Sequence, residues 1–307
     1  MRKYSGTLKK MSRYWIVYLM LLPGFLLALL LNYAPMGGLY MAFSYYRVGR
    51  PLFEAEFAGL TFFRDVIRDS SIMLEVLRNT LVMNLLTIFV GLVTALFFAI
   101  VLNEVKSRKI RKTIQTVSFI PFFLSWVIVY SILQVFLQGG TGLVNAFLIE
   151  RGIISEGIMF LSDPRFSWGL VVFSNLWKML GYNAVIFLSS ITSIDLGLYE
   201  AANIDGADRL QRIRHITLPA LVPTLLILII LNVGWIFASN LEQFYLFTNA
   251  MNRPTMEVFD MFIFRFGLRQ LNFSYATAVG ILRSVAGFVL LIIVNQLSKR
   301  LEGSSVA

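Results

Sequence analysis

The chain has 307 residues, of which 57% are hydrophobic and 14% charged, and its mean hydropathy is +0.73. Those proportions exclude an ordinary soluble globular protein and describe a chain that crosses a membrane several times. The lack of cysteine removes disulfide frameworks and thiolate metal sites, while a formal net charge of +10 sets a nucleic-acid surface against a topological signal.

Residues 1–13 form a basic terminus with Arg2, Lys3, Lys9, Lys10 and Arg13. The apolar run 14–31 is long enough for a span and no small-residue cleavage pattern follows, so it reads as a first transmembrane helix rather than a leader. Pro35, Gly37 and Gly38 are expected to break that helix. An outer loop with amphipathic helical pieces follows over 47–78, then a second span over 81–102. Lys106, Arg108, Lys109, Arg111 and Lys112 make a basic hairpin of the kind kept in the cytoplasm. The third span, 114–137, contains Pro121, which predicts a kink whose freed backbone groups neighbouring helices must satisfy. Gly139–Gly142 lacks the lysine and spacing of a phosphate-binding loop and reads as a simple connection. Residues 144–165 read as an outer connection with a short interfacial helix.

The fourth span, 168–191, and the fifth, 218–241, flank a stretch, 195–219, that is too charged for hydrocarbon: Glu200, Asp205, Asp208, Arg209, Arg212 and Arg214. Its pattern predicts a helix over 198–204, a turn at Asp205-Gly206 and a second helical segment over 207–216, with Asp208 and Arg212 spaced i,i+4 for an ion pair. Leu218-Pro219 ends the stretch, since proline suits the first turn of the next helix. Residues 242–272 read as a third outer segment, 275–297 as the sixth span and 299–307 as a tail. Lys and Arg outside the spans number about 15 on the side of the termini against about 10 on the other, which puts the termini and 195–219 in the cytoplasm. The basic charge is therefore topology, with membrane lipid as its surroundings and no nucleic-acid partner. The fold class is all-α, a polytopic membrane protein whose six-helix domain covers 14–298.

Chemistry is sparse. The one histidine, His215, has no partner at metal-ligand spacing and reads as solvated or capping, so no metal is expected. No GxxxxGK[ST] run is present, so ATP is not expected to bind this chain. The spans as drawn contain no Asp or Glu, which counts against a transporter driven by an ion gradient. A membrane scaffold or sensor would need a signalling domain or an extended tail, and both termini are short. Asn232, Trp235, Ser239 and Gln243 share one face of the fifth span if the helix runs that far, and Ser174, Trp177, Lys178 and Tyr182 share one on the fourth. Either stripe lines a pathway for a sugar, whose hydroxyls suit amides and whose ring face suits an aromatic, or it makes helix-to-helix hydrogen bonds. Lys178 attracts an acidic sugar, or it pairs with a neighbour or lipid; Arg283 in the sixth span carries the same alternatives.

Glu200, Ala201, Ala202, Gly206, Ile216, Leu218 and Pro219 reproduce the order Glu-Ala-Ala, three residues, Gly, nine residues, Ile-x-Leu-Pro. That order resembles the cytoplasmic EAA loop of ABC importer permeases. The wording LYEAANIDGA with HITLPALVP, and Asn32, Tyr33, Pro35, Met36 and Gly38 after the first span, are similar to the maltose-type carbohydrate permeases and to their oligosaccharide and polysaccharide subgroup. The resemblance implies a type I importer permease fold and no enzymatic activity in this chain. It implies that Glu200, Ala201, Ala202, Ile204, Asp205, Gly206, Ala207, Leu210, Leu218 and Pro219 dock onto an ATPase. Of these, Glu200 would meet a basic residue, Ala201 and Ala202 would allow close approach, Gly206 would permit the turn, and Ile204 and Leu210 would pack. The implied partners are a second, unlike permease, two ATP-binding subunits that carry ATP and Mg, an extracytoplasmic solute-binding protein and a saccharide, at the bacterial cytoplasmic membrane. A permease for another solute, such as an acidic sugar, a sugar phosphate or an amino acid, is the alternative within the family.

Overall fold

The protein is described by a computed structural model over residues 14–302, with side chains as far as Gln296; the basic terminus 1–13 and residues 303–307 lie outside the described residues. Among the described residues the structure is helical throughout, and Ser44 and Phe57 form an isolated antiparallel bridge. Five helices are long and apolar enough to cross a membrane, and a sixth span is available if one bent pair is counted together.

Helix α1 (Trp15–Ala28) does not stop near Pro35. The chain winds on as a π turn (Leu29–Tyr33) and a 3-10 helix (Ala34–Phe43), so the expected break is a change of winding. Pro35 falls in the first turn of the 3-10 helix, where its missing N–H leaves no bond unmade. No residue of α1 is buried, which leaves its apolar surface to lipid or to another subunit. The amphipathic α2 (Thr61–Arg68) buries Val66 and precedes α3 (Ser70–Asn103). At ~1.5 Å per residue α3 is about 51 Å long, well beyond the ~30 Å of a hydrocarbon core, so its first turns belong to the segment expected to lie outside.

The third span departs most from expectation. It consists of α4 (Arg108–Phe119), a 3-10 turn (Ile120–Phe123) and α5 (Trp126–Leu137), bent by 102°. Pro121 opens the 3-10 turn, and Ser125 starts a new helix by accepting the Ile128 N–H at its Oγ, 3.4 Å away. Two capped helices meeting at a corner replace the single kinked rod that Pro121 suggested. Helix α6 (Leu143–Glu150) is the expected short outer helix, tied down by Asn145, whose amide bonds Gln138 and Ile158.

Helix α7 (Pro164–Thr192), capped by Asp163, packs along α3 more extensively than any other pair. Gly181 lets α4 reach it: a Cβ there would sit 2.3 Å from the Ser118 carbonyl oxygen. Then come α8 (Leu196–Ile204) and α9 (Arg209–Arg212), which continues through a π turn (Ile213–Thr217) into α10 (Leu218–Gly234). Proline at 219 can neither donate to the carbonyl four residues back nor avoid its oxygen, and the π turn just before it absorbs that conflict. The motif therefore runs on into the fifth span, and that span ends at Gly234 instead of 241.

Residues 242–272 fold back as α11 (Leu241–Phe247), α12 (Arg253–Met256) and α13 (Phe259–Phe264), followed by a π turn (Arg265–Arg269) and α14 (Phe273–Glu302). Phe244, Phe247, Met256, Val258 and Met261 are buried against Met83, Trp126, Val129, Leu133 and Val171. This outer segment is a packed cap, fastened by Asn79 Nδ2 to the Pro254 carbonyl (2.7 Å) and by Trp168 Nε1 to the Thr255 carbonyl (2.9 Å). A second core, Leu92, Ala95, Ala99, Ala184, Phe187, Ile191 and Leu221, joins α3, α7 and α10 near the opposite end, where buried alanines let the helices approach closely.

Candidate functional site

Two features stand out, one at the basic end of the bundle and one between the two cores. At the basic end α8 begins with Asp195 accepting the Gly197 N–H and ends at a left-handed residue, Gly206, with φ +74°. The Ala207 N–H reaches the Ala202 carbonyl (2.9 Å) and the Gly206 N–H the Asn203 carbonyl (3.2 Å), which is a Schellman closure. Asp208 does not pair with Arg212 as its spacing suggested. It caps α9 in a reciprocal box: its Oδ1 accepts the Gln211 N–H (2.7 Å) and its own N–H donates to Gln211 Oε1 (2.8 Å). Arg212 instead donates to Asn203 Oδ1, and Arg209 pairs with Glu104 at 3.0 Å, tying this element to the end of α3. His215 Nδ1 lies 3.0 Å from the Gln211 carbonyl oxygen.

The element is tied down at its root and apolar at its tip. Tyr199 and the buried Thr217 share a hydrogen bond of 2.8 Å, linking α8 to the start of α10. Ile204 is 87% exposed and Leu210 72%, beside Glu200, Ala201, Asp205 and Gly206, all exposed, and Ala202 and Ala207, half-buried. Leu218 and Pro219 are exposed on the first turn of α10. Large apolar side chains thus stay exposed on a charged, capped hairpin outside the spans, a composition that suits contact with another protein.

Between the two cores lies a cavity of about 270 Å³. Asn84 and Thr87 on α3, Asn175, Tyr182 and Asn183 on α7, and Asn232 near the end of α10 line it, with Trp235, Asn240 and Gln243 just beyond. Among the described residues its polar groups are amides, a hydroxyl, a phenol and the Trp235 indole, and no charged side chain lines it. Trp235 is 73% exposed, and Tyr182 stacks on Phe122 with ring centroids 4.6 Å apart. Such a wall offers donors and acceptors of both senses together with aromatic faces, and no fixed charge.

The two expected stripes meet this wall only in part. Asn232, Trp235, Gln243 and Tyr182 line it. Ser239 does not lie on a continued α10; the helix has ended, and Ser239 Oγ accepts from Asn84 Nδ2 at 3.2 Å. The Gln243 amide is committed to the Val171 carbonyl and Ser174 Oγ, both 3.1 Å away. Ser174 and Trp177 face an apolar groove beside α5. Lys178 faces neither: buried, its Nζ donates to the carbonyls of Phe122 (2.8 Å) and Leu124, with that of Pro121 at 3.5 Å, and it lies 5.6 Å from the Trp126 ring centre. It caps the corner between α4 and α5. Arg283 pairs with Asp260.

Asn84, Thr87, Asn175, Asn183 and Asn240 escaped the sequence reading. Their signal was present: Asn84, Thr87 and Gly91 recur at steps of three and four, as do Asn175, Met179 and Tyr182. The stripe Ser174, Trp177, Lys178 and Tyr182 meets the wall at Tyr182, while Asn175 lies one residue, about 100°, round the helix from Ser174.

Residues 88–303 match the family of binding-protein-dependent transport system inner membrane components. The polygalacturonan/rhamnogalacturonan transport system permease protein YteP of Bacillus subtilis is 37% identical over 97% of this chain and 92% of its own length. A crystal structure of a bacterial ABC transporter involved in the import of the acidic polysaccharide alginate contains a chain that superposes with a TM-score of 0.87, at 33% identity, over 96% of this chain and 99% of that one. The alginate transporter in complex with its alginate pentasaccharide-bound periplasmic protein matches at the same TM-score, at 34% identity over 97% and 99%.

Proposed function

The chain belongs to the binding-protein-dependent transport system inner membrane components, and on that premise we propose that it forms one half of the translocation pathway of an ATP-driven importer for oligosaccharides or polysaccharide fragments. The observation that carries the substrate class is the cavity wall: amides from α3, α7 and the end of α10 around Trp235 and Tyr182, suited to hydroxyls and to the apolar faces of sugar rings. The polysaccharides handled by its relatives support the same class. An amino-acid or phosphate substrate has less support, because Lys178 and Arg283 are both occupied by partners within the chain.

In this reading a solute-binding protein delivers the saccharide to the outer cap. This chain and a second, unlike permease enclose it near the middle of the bilayer of a bacterial cytoplasmic membrane, with the termini and α8 inside the cell. The ATP and Mg belong to two separate ATP-binding subunits. The α8–α9 hairpin presents Ile204 and Leu210 to one of them, while Tyr199–Thr217 and Arg209–Glu104 pass its movement to α10 and α3. Coupling then requires that the ATPase bind the inward-open and outward-open bundles with different affinity.

Uptake of labelled oligosaccharide by membrane vesicles carrying the whole importer tests the cavity. Trp235→Ala and Asn175→Leu should each weaken uptake at limiting saccharide roughly tenfold, the effect of ~1.4 kcal/mol of lost contact. Wild-type uptake in both variants would remove the cavity from the pathway.

A further inference from the structure

The lining of the cavity is interrupted where α10 stops at Gly234 and the chain turns before α11 begins at Leu241. Trp235, Ala238 and Asn240 all line the cavity from this turn. Its backbone groups still need partners: the Trp235, Ile236 and Ala238 N–H groups bond the carbonyls of Asn232, Val233 and Trp235, and two side chains from other elements hold two of the remaining groups. Asn84 Nδ2, on α3, donates to the Ile236 carbonyl at 2.6 Å, and Asp260 Oδ2, on α13, accepts the Ser239 N–H at 2.6 Å. The other Asp260 oxygen pairs with Arg283 on α14. The carboxylate thus joins an irregular piece of cavity wall to the sixth span, in a groove lined mostly by apolar residues.

We propose that Asp260 is a positioning residue for the cavity wall: one carboxylate oxygen fixes the turn that presents Trp235 and Asn240, and Arg283 serves as the counter-ion that makes a carboxylate tolerable in that partly buried, apolar groove. The argument is one of geometry and charge. A neutral pair of apolar residues would pack such a groove at less cost than an ion pair, so the pair alone gains little stability. What an apolar pair cannot do is accept the Ser239 N–H. Sequence inspection placed Asp260 in an outer segment and Arg283 in a span, and did not associate them. The proposal takes this cavity as the substrate's path and so rests on the function proposed above.

The chain contains no cysteine, so one introduced thiol is the single labelling site of this subunit, and label is read on this subunit after it is separated from its partners. In the Ala238→Cys protein, assembled with its full transporter in membrane vesicles, the rate of labelling by a small impermeant thiol reagent is compared in two backgrounds. Asp260→Asn with Arg283→Gln removes both charges and keeps an acceptor at 260; Asp260→Leu with Arg283→Gln removes both charges and the acceptor at similar volume. The asparagine background should label within about twofold of the parent, and the leucine background roughly fivefold faster, the scale of losing one hydrogen bond to the turn. An alanine at 260 provides a second acceptor-free background. Equal labelling in the acceptor-bearing and acceptor-free backgrounds would overturn the proposal, and so would failure of both acceptor-free proteins to assemble, which would make Asp260 a folding residue. Labelling is read without transport, so an error in the substrate assignment would leave this result standing.

Discussion

Gly206 and Lys178 show how single residues settle local backbone accounts. At φ +74° Gly206 closes α8, and a β-branched side chain there would be strained even though nothing crowds it. Gly206→Val should cost about 1–2 kcal/mol and loosen the hairpin that carries Ile204 and Leu210, read as a lower melting temperature and weaker ATPase retention. Asp208→Ala removes the reciprocal cap of α9, worth about 1 kcal/mol, and should act in the same direction. Lys178 illustrates the opposite case, a charge within a span whose task is to satisfy carbonyls exposed by the corner at Pro121. Lys178→Met should lower the melting temperature of the detergent-solubilised protein, with a cost of about 1–3 kcal/mol for carbonyls left unpaired, whereas an effect confined to acidic saccharides would show that the ammonium faces substrate. The sequence identified Lys178 as unusual but left its partner open, because that partner is backbone from another helix.

At the scale of elements, hydropathy located the long helices well, since a span must be apolar whatever its neighbours are. It failed where tertiary contacts decide. The 102° corner between α4 and α5 depends on Ser125 and Lys178, and the end of α10 depends on Asn84 and Asp260, none of which alters local hydropathy. Polar residues at its start set 242–272 apart as an outer segment, but hydropathy does not say that its apolar positions are spent on a cap over the bundle. Helix contact gives a further test. Gly181→Ala would push a methyl against the Ser118 carbonyl, so α4 must shift, at about 1–3 kcal/mol. Gly169→Ala on the same helix meets nothing within 4 Å and serves as its control, so only the first should lower thermal stability.

Across the whole molecule, the family was legible in one continuous stretch, whereas the cavity was largely hidden from the sequence. The Glu200–Pro219 motif is contiguous and charged between two spans, so one pass along the sequence finds it. The cavity draws single residues from α3, α7, α10 and the turn after it, and only the helical phase of each says which residue faces in. One residue of helical phase on α7 separates Ser174 and Lys178 from the cavity-lining Asn175 and Met179. The central claim is that the α8–α9 hairpin transmits ATP hydrolysis to this bundle, and Ile204 tests it most directly. Being 87% exposed, Ile204 can become Asp with little consequence for the fold. The measurement is retention of the ATP-binding subunits by the purified permease pair, together with stimulation of hydrolysis by saccharide-loaded binding protein, in wild type and Ile204→Asp. The account predicts that wild type retains the ATPase and is stimulated while the variant loses one or both. A wild-type protein that holds no ATPase, or an Ile204→Asp protein that is retained and stimulated like wild type, would contradict it.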